Sequence, residues 1–385
     1  EDAGIIFDGN AQDFHIGLDD SADDLVIGVG SALGTTTALS ITDGRVVTVG
    51  ETGIASSISG IPFYRGDTGG SNDNLSIYTH DVSGTDNGAE YNTSYGITAL
   101  DAITEGDNNT CLGYAAGTAL TTGHRNTFVG QGAGSAITTG THSVAIGNSA
   151  ASGYDTETYN VAIGHVALGG SVAGGEFNVC VGTFTLDALT SGDYNVSIGH
   201  NSGTAITTGS TNTCVGVEAG YALTTGSNNT FLGSEAGRAS SPTQVTTGSN
   251  RVIVGNNSVT NCDIKVDWTV TSDKRDKTDV EAFNMGLDFV NALNPVTYRW
   301  DMRSDYENGT PDGTHKKPKL FSGLIAQDVE ILEREYGYKV EDDTAVITSV
   351  NENGNYGLTY SKFVPVLINA VKELSAEIKA LKEEK

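Results

Sequence analysis

The sequence predicts a mainly β chain: a trimeric, parallel β-roll or β-helix-like repeat shaft, then a small α+β domain that ends in a trimeric coiled coil. Three observations lead to this prediction. A motif that ends in glycine recurs about every seventeen residues from Gly96 to Gly255. Near Cys262 the composition changes, and both tryptophans, both methionines and the lysines lie beyond it. Apolar heptads then run from Tyr360 to Leu381.

These features divide the chain into three predicted segments. Residues 1–90 are an irregular β segment of the shaft, and residues 91–262 are the seventeen-residue β-repeat array. Residues 263–385 are the α+β domain, with its coiled coil at about 360–385. Runs such as 24–30 and 38–50 favour short strands with Asp-Gly turns in the first segment. A loop-rich insertion is expected at 61–90.

The repeat unit is Asn-Thr/Val-x-Val/Ile/Leu-Gly, as in NTCLG ending at Gly113 and NVAIG ending at Gly164. Its β-branched residues and regular glycines favour strands over helices. Seventeen residues cannot bury a face alone, so successive coils are expected to stack. At about 4.8 Å per coil, the array would form a rod of roughly 45–50 Å.

Both faces of the repeat strand are largely apolar. One face has Cys, Phe, Ala or Ser, and the other has Thr or Val together with Ile, Leu or Val. A thin coil has a single interior, so the second face needs another partner, which trimerisation about a three-fold axis would provide. The array resembles the head repeats of trimeric autotransporter adhesins, which are shorter than seventeen residues, and similar repeats occur in phage fibres.

The charge of the chain bears on its partners. The net charge is −27, and residues 1–262 contain five basic but 25 acidic residues. Such a surface repels phosphate backbones and anionic lipid, so we expect no nucleic-acid partner. No apolar run approaches 18 residues, so we expect no membrane insertion.

The four cysteines form no CxxC pair, so a zinc site is not expected. Cys111, Cys180 and Cys214 share one repeat position, which favours small buried side chains rather than disulfides. His165 and His200 follow repeat-ending glycines, but no HxH or HExxH motif accompanies them, so no metal and no cofactor are predicted. The acidic pairs at 19–20 and 23–24 favour a polar turn over a glycosidase site.

The C-terminal segment has mixed secondary-structure signals. Apolar residues at helical spacing predict a helix over 280–293, ending before Pro295. Strands are expected at 296–300 and 321–326, the second leading into a helix. A hairpin over 345–360 should turn at Asn353–Gly354.

Heptad positions in the last segment predict the coiled coil. Val364, Val371 and Ile378 occupy position a, while position d has Tyr360, Leu367, Leu374 and Leu381. β-branched residues at a with Leu at d favour parallel dimers in isolated peptides. The repeat array favours three strands instead.

The stretch Thr271–Lys277 reads TSDKRDK and lies at the joint between the two kinds of sequence. A nucleophile five residues before a possible base, at such a joint, suggests that the chain cuts itself. A serine hydroxyl needs a base, and a lysine can serve when burial or cationic neighbours such as Lys274 and Arg275 lower its pKa. In the alternative interpretation, Ser272 begins a turn or caps a helix and Lys277 is a solvated charge.

Four motifs in order resemble the C-terminal intramolecular chaperone family of phage tail spikes and tail fibres. They are SDKRDK (272–277), LNPVTYRW (293–300), GLIAQDVE (323–330) and YSKFVPVLINAVKEL (360–374), and the resemblance covers about 265–385. It implies a domain that trimerises, promotes folding of the fibre before it, and then releases itself. It further implies Ser272 as the nucleophile, Lys277 as its base and Thr271–Ser272 as the scissile bond.

The sequence therefore suggests a trimeric viral tail fibre fragment for host adsorption, with a single-turnover intramolecular serine endopeptidase. Its expected partners are its own copies and a host cell-surface receptor, either a glycan or an outer-surface protein. It would fold in the host cytoplasm and end in the virion. One alternative is a cellular trimeric adhesin or stalk whose C-terminal domain only trimerises. A second is a tailspike depolymerase, which would need a convergent carboxylate site.

Overall fold

The computed structural model describes residues 88–170, 174–239, 243–266, 268–351 and 353–384, together with the strands that precede residue 88. Two compact units make up the chain. The first is Glu1–Ser234 with Ser249–Val252, and the second is Glu235–Gly248 with Ile253–Lys385.

The first unit begins with antiparallel strands. Five of them pair in chain order as one sheet: β1 (Ala3–Phe7), β2 (Phe14–Asp19), β3 (Asp24–Val29), β4 (Thr37–Ile41) and β5 (Val47–Val49). Three more follow: β6 (Ser56–Ile58), β7 (Ile61–Arg65) and β8 (Ile77–Tyr78). The last two of these lie inside the stretch expected to be a loop-rich insertion. β8 pairs in parallel with the first repeat strand, so it joins the sheet of the repeat array.

The repeat array is a parallel β-solenoid. Its three-residue strands are β9 (Thr93–Tyr95), β10 (Thr110–Leu112), β11 (Thr127–Val129), β12 (Val144–Ile146), β13 (Val161–Ile163), β14 (Val179–Val181), β15 (Val196–Ile198), β16 (Thr213–Val215) and β17 (Thr230–Leu232). Each pairs with the next in register, so equivalent residues of successive repeats lie side by side. The strands predicted from the glycine spacing are confirmed. β18 (Val252–Val254) follows them in the chain.

The middle residue of each repeat strand points into the coil. The buried members of this row are Ser94, Cys111, Phe128, Ala145, Ala162, Cys180, Ser197, Cys214 and Phe231. A second buried apolar row consists of Ile103, Leu120, Ile137, Tyr154, Leu189, Ile206 and Leu223. These rows, together with buried residues after each strand such as Ala116, Ala133 and Leu168, form the core of the solenoid.

The residues that flank each middle position face outwards. Leu112 is 47% exposed and Ile198 is 40% exposed, although both are large and apolar. The expected alternation is therefore confirmed, and the part of the chain that the structure describes leaves the second apolar face exposed.

Buried asparagines run along the interior beside the strands: Asn92, Asn109, Asn126, Asn160, Asn178, Asn195, Asn212 and Asn229. In Asn109, Nδ2 donates to Oδ1 of Asn92 at 3.0 Å and to the carbonyl of Gly123 at 2.9 Å. Ser143 occupies the equivalent position in one coil and interrupts the row. The row satisfies backbone groups at the turns, which would otherwise be buried without partners.

Turn glycines allow the coils to approach closely. A Cβ atom added to Gly123 would lie 2.3 Å from the carbonyl oxygen of Gly140 in the next coil. The turn glycine is therefore required by contact between neighbouring backbones rather than by a positive φ.

The second unit contains the α+β domain. Its helices are α1 (Leu287–Ala292), α2 (Ala326–Glu335) and α3 (Phe363–Glu383). Its strands form two antiparallel pairs, β19 (Val296–Tyr298) with β20 (Phe321–Gly323) and β21 (Thr348–Val350) with β22 (Tyr356–Leu358). Its core consists of Met285, Phe289, Val329, Ile347, Phe363 and Val366.

Three predicted elements are shorter than expected. The strand predicted over 296–300 ends at Tyr298. The helix predicted over 280–293 begins only at Leu287, after Gly286, and ends at Ala292. The strand predicted over 321–326 ends at Gly323. The hairpin turn at Asn353–Gly354 is confirmed, and Gly354 adopts the positive φ of 72° that such a turn favours.

The C-terminal helix α3 has two apolar faces. Phe363, Val366 and Ala370 are buried against the domain of the same chain. The predicted a and d residues lie on another face and are exposed, with Val371 at 66% and Leu367 at 50%. One face therefore fixes the helix to its own domain, and the described residues of the chain leave the heptad face exposed.

Candidate active site

The predicted dyad lies around a short 3-10 turn at Lys274–Asp276. Asp273 precedes the turn with extended backbone, and Lys277 follows it, also extended. The N–H of Asp276 donates to the Asp273 carbonyl at 3.2 Å, and that of Lys277 donates to the Lys274 carbonyl at 3.3 Å. These bonds reverse the chain, so the residues before and after the turn lie close together.

The turn brings the two predicted catalytic residues into contact. The Nζ atom of Lys277 lies 2.5 Å from the Oγ atom of Ser272, within hydrogen-bonding distance. A serine in direct contact with an amine has the arrangement of a nucleophile and its base. Thr271 precedes this serine directly, so the predicted scissile bond adjoins the nucleophile.

The dyad is open to solvent in the single chain. Thr271, Ser272 and Lys277 are all exposed. Among the described residues, no other group forms a hydrogen bond with Ser272 Oγ or Lys277 Nζ. An acyl-transfer site normally also has donors for the developing oxyanion and a means of excluding water. The single chain supplies the dyad without that enclosure.

Arg275 has a different role from the one expected. Instead of standing as a free cationic neighbour of Lys277, its guanidinium contacts the Asp273 carboxylate, with Nη2 to Oδ2 at 2.7 Å. Hydrogen bonds from the Arg275 side chain and backbone lower the pKa of Asp273, and the carboxylate in turn raises the pKa of Arg275. The positive charge of Arg275 is therefore compensated locally.

The chain after the dyad is attached to α3 by polar contacts that the sequence did not reveal. Asn369 donates from Nδ2 to the carbonyls of Phe283 at 2.9 Å and Met285 at 3.2 Å. Glu373 accepts the N–H of Leu287 at 2.6 Å. Both polar residues lie in the fourth quoted motif, outside its a and d positions, and this is the one signal that could have identified them.

A buried carboxylate joins α2 to β21. Glu333 is fully buried, and its oxygens accept backbone N–H groups of Val346 at 3.0 Å, Ile347 at 2.8 Å and Thr348 at 2.9 Å. The Thr348 hydroxyl also donates to it. With four donors the hydrogen-bonding capacity of the carboxyl group is satisfied, which indicates a structural role.

The other candidate residues that the structure describes do not assemble into a site. His165 is exposed and contacts the ring of Phe184 edge-on, while His200 is exposed at its corner. Asp19 and Asp24 are cross-strand partners, and Asp20 and Asp23 lie outside the described residues. Within the described part of the chain, no group of His, Cys, Asp or Glu could hold a metal ion. The helices described there include none long and apolar enough to cross a membrane.

Comparison with known proteins defines the class of the C-terminal domain. Residues 272–344 match the peptidase S74 family, described as chaperone of endosialidase. The matched region begins at Ser272 and includes three of the four quoted motifs, while the motif at 360–374 lies beyond it. That family implies a self-cleaving intramolecular chaperone. The fold is thus a β-solenoid with such a domain after it, an arrangement that fits a tail fibre or tailspike.

No curated protein and no solved structure matches the chain.

Proposed function

We propose that the chain is part of a trimeric viral tail fibre for host adsorption. Its C-terminal domain drives trimer folding and then cuts itself off between Thr271 and Ser272. The contact of 2.5 Å between Lys277 Nζ and Ser272 Oγ is the observation that supports this most strongly. It lies at the first residues of the region that matches the chaperone family.

Two uncovered apolar faces support trimerisation. One is the outer face of the solenoid sheet, where Leu112 and Ile146 are exposed. The other is the heptad face of α3, where Val371 and Leu374 are exposed. Exposed apolar faces are unfavourable in water, and two further copies of the chain would cover both of them.

The proposed reaction is an intramolecular acyl transfer. Lys277 accepts the hydroxyl proton as Ser272 Oγ attacks the carbonyl carbon of Thr271. The bond from that carbon to the Ser272 nitrogen breaks, and the nitrogen takes the proton to become a free amine. Water then hydrolyses the ester between Thr271 and Ser272 Oγ, which yields a Thr271 carboxylate and restores the hydroxyl. The bond lies in the same chain, so proximity replaces substrate binding and each chain reacts once.

Trimer assembly is the step that would complete the site. The dyad is exposed in the single chain, where water competes with every polar contact. Neighbouring copies packed beside it would exclude water and add donors for the oxyanion. Cleavage would then report that the fibre before it has folded correctly.

The remaining assignments extend the same proposal. The receptor would be a glycan or an outer-surface protein of the host, and the shaft would reach the virion after folding in the host cytoplasm. The depolymerase alternative would need a convergent pair of carboxylates of the kind that glycosidases use.

Three chains test the chaperone role: the full chain, its Ser272→Ala variant and residues 1–271 alone. We expect the full chain to give a protease-resistant shaft trimer and a released domain, and the variant to give an uncut trimer. Residues 1–271 alone should aggregate, because parallel β stacking between chains is non-local and slow. Soluble, resistant trimers from 1–271 in normal yield would contradict the chaperone role. An uncut full-length trimer would favour a stalk whose C-terminal domain only trimerises.

A further inference from the structure

We propose that Asp273 is a positioning residue that holds Ser272 and Lys277 at reactive distance. This inference rests on the proposed self-cleavage and names a residue outside the Ser-Lys dyad on which it depends. Asp273 follows the nucleophile directly and touches neither the scissile carbonyl nor Lys277 among the contacts described. Its carboxylate acts on the turn between the two catalytic residues.

The Asp273 carboxylate closes this turn twice. Its Oδ1 atom accepts the backbone N–H of Arg275 at 2.9 Å, so Asp273 is the N-cap of the turn. The same carboxylate binds the Arg275 guanidinium, with Nε at 3.1 Å from Oδ1 and Nη2 at 2.7 Å from Oδ2. One side chain therefore fixes both the backbone and the arginine of a turn only three residues long.

The surroundings give the turn little other support. Among the described residues, the side chains of 272–277 form no hydrogen bond to any segment outside this stretch. A 3-10 turn has poor hydrogen-bond geometry and is held weakly by its backbone alone. The distance between Ser272 Oγ and Lys277 Nζ therefore depends on the contacts of Asp273.

The expected effect is on rate and not on stability. The Arg275 side chain is 88% exposed, and exposed ion pairs contribute little to folding. The cleavage rate is more sensitive than stability to such a loss, since a displacement of about 1 Å between reacting groups can reduce a rate by about 100-fold. Loss of the carboxylate should thus slow cleavage in a trimer that is otherwise normal.

Asp276 provides a matched control within the same turn. It is also exposed and acidic, but its side chain has no hydrogen bond or ion pair among the described residues. The variants are Asp273→Ala, which removes both contacts, and Asp273→Asn, which keeps an acceptor for the Arg275 N–H but removes the charge. Asp276→Asn changes the net charge of the turn by the same amount as Asp273→Asn.

The experiment measures the first-order cleavage rate in assembled trimers of the full chain from about pH 5 to pH 9. We expect Asp273→Ala to lose about 10- to 100-fold in rate, Asp273→Asn to lose less, and Asp276→Asn to stay within about twofold. Trimer content and melting temperature should match the wild type. Since Arg275 lowers the pKa of Asp273 below its ordinary 3.8, the ion pair persists throughout this pH range and is lost only in stronger acid.

The pH profile separates positioning from two other roles. A positioning residue changes the plateau rate and leaves the midpoint of the profile in place. If the Asp273 charge instead tuned the base, Asp273→Asn would move the midpoint to lower pH, because removal of a negative charge makes a nearby amine less basic. That shift at an unchanged plateau rate would overturn the inference.

Two further outcomes would also reject it. In the first, Asp273→Ala forms fewer trimers, yet those trimers cleave at the wild-type rate. That result would show a purely structural role for Asp273. Wild-type rates in Asp273→Ala while Ser272→Ala stays uncut would reject the positioning role and leave the proposed function intact. If the wild-type trimer itself does not cut, the proposed function fails and this inference fails with it.

Discussion

The Oδ1 atom of Asn109 accepts two hydrogen bonds from Asn126, one from its backbone nitrogen at 3.0 Å and one from its Nδ2 atom at 3.1 Å. Asn126 continues the pattern, since its Nδ2 atom donates to the Gly140 carbonyl at 2.9 Å and its Oδ1 atom accepts the Ser143 N–H at 2.9 Å. Each buried asparagine thus connects its own coil to the coils on both sides.

Asn126→Ala should destabilise the solenoid strongly. The change leaves the Ser143 N–H and the Gly140 carbonyl buried without these partners, and each such group costs about 1–3 kcal/mol. We expect a total loss of about 2–6 kcal/mol for the two groups, measured as a lower urea midpoint of the purified shaft. The control is Gln131→Ala in the same repeat, where the exposed hydrogen bond to Asn148 contributes little. Equal midpoints for the two variants would show that the asparagine row is not a main source of stability.

Two glycine substitutions distinguish close backbone contact from conformational freedom. A Cβ at Gly123 would lie 2.3 Å from the Gly140 carbonyl oxygen, so Gly123→Ala must displace a coil. Gly132 has a φ of 64°, but Ala115 and Ser149 adopt similar values at the equivalent positions of neighbouring coils, and a Cβ there meets no atom nearer than 3.7 Å. We expect Gly123→Ala to lower the free energy of unfolding clearly, and Gly132→Ala to change it by no more than about 1 kcal/mol. The reverse order would contradict the packing described.

Thiol chemistry tests the burial of the repeat core. Burial raises the pKa of Cys214 to about 12 and raises the pKa of Cys111 and Cys180 further, so these thiols remain neutral at ordinary pH. The thiolate is the reactive form, and Cys262 is exposed. At about pH 8 we expect Ellman's reagent to titrate one thiol per native chain and four after denaturation. Rapid reaction of more than one native thiol would mean that the repeat position is accessible.

The heptad face of α3 can be tested without disturbing the core of the domain. Val371 occupies position a and is 66% exposed, so Val371→Asp should leave the chain folded but prevent trimerisation. Mass photometry should then show monomers, and cleavage should fall with trimer content. Lys372→Asp is the control because it lies next to Val371, outside positions a and d, and is exposed. Trimers that persist in Val371→Asp would exclude the heptad face as the assembly surface.

Much of the solenoid could be predicted because its signal is local and repeated. Each repeat strand ends just before a glycine of the motif, so spacing alone located the strands. The alternation did not establish which face was internal, since both are apolar. That choice depends on packing within the coil, which buries Phe128 and Cys111 together with Leu120. The asparagine row was visible as a motif, but its bonding depends on neighbours seventeen residues away.

The α+β domain was less predictable because its decisive contacts are distant in sequence. The segment before α1 had helical spacing, yet Asn369 binds the carbonyls of Phe283 and Met285 from more than eighty residues away. Those contacts occupy carbonyls that a longer helix would use internally. The candidate dyad could be proposed from the sequence because all its parts lie within six residues. The pairing of Arg275 with Asp273 depends on the turn geometry and was not foreseen.

The most direct test of the account is N-terminal sequencing of the small fragment from purified full-length trimers, together with its rate of appearance. We expect a fragment that begins at Ser272. It should form by first-order kinetics that are independent of protein concentration, because the bond and the dyad share one chain. Ser272→Ala and Lys277→Ala should remain full length and trimeric. The rate should fall as the pH is lowered, because the base becomes protonated. A fragment that begins elsewhere, or equal cutting in Ser272→Ala, would contradict the assignment of the dyad.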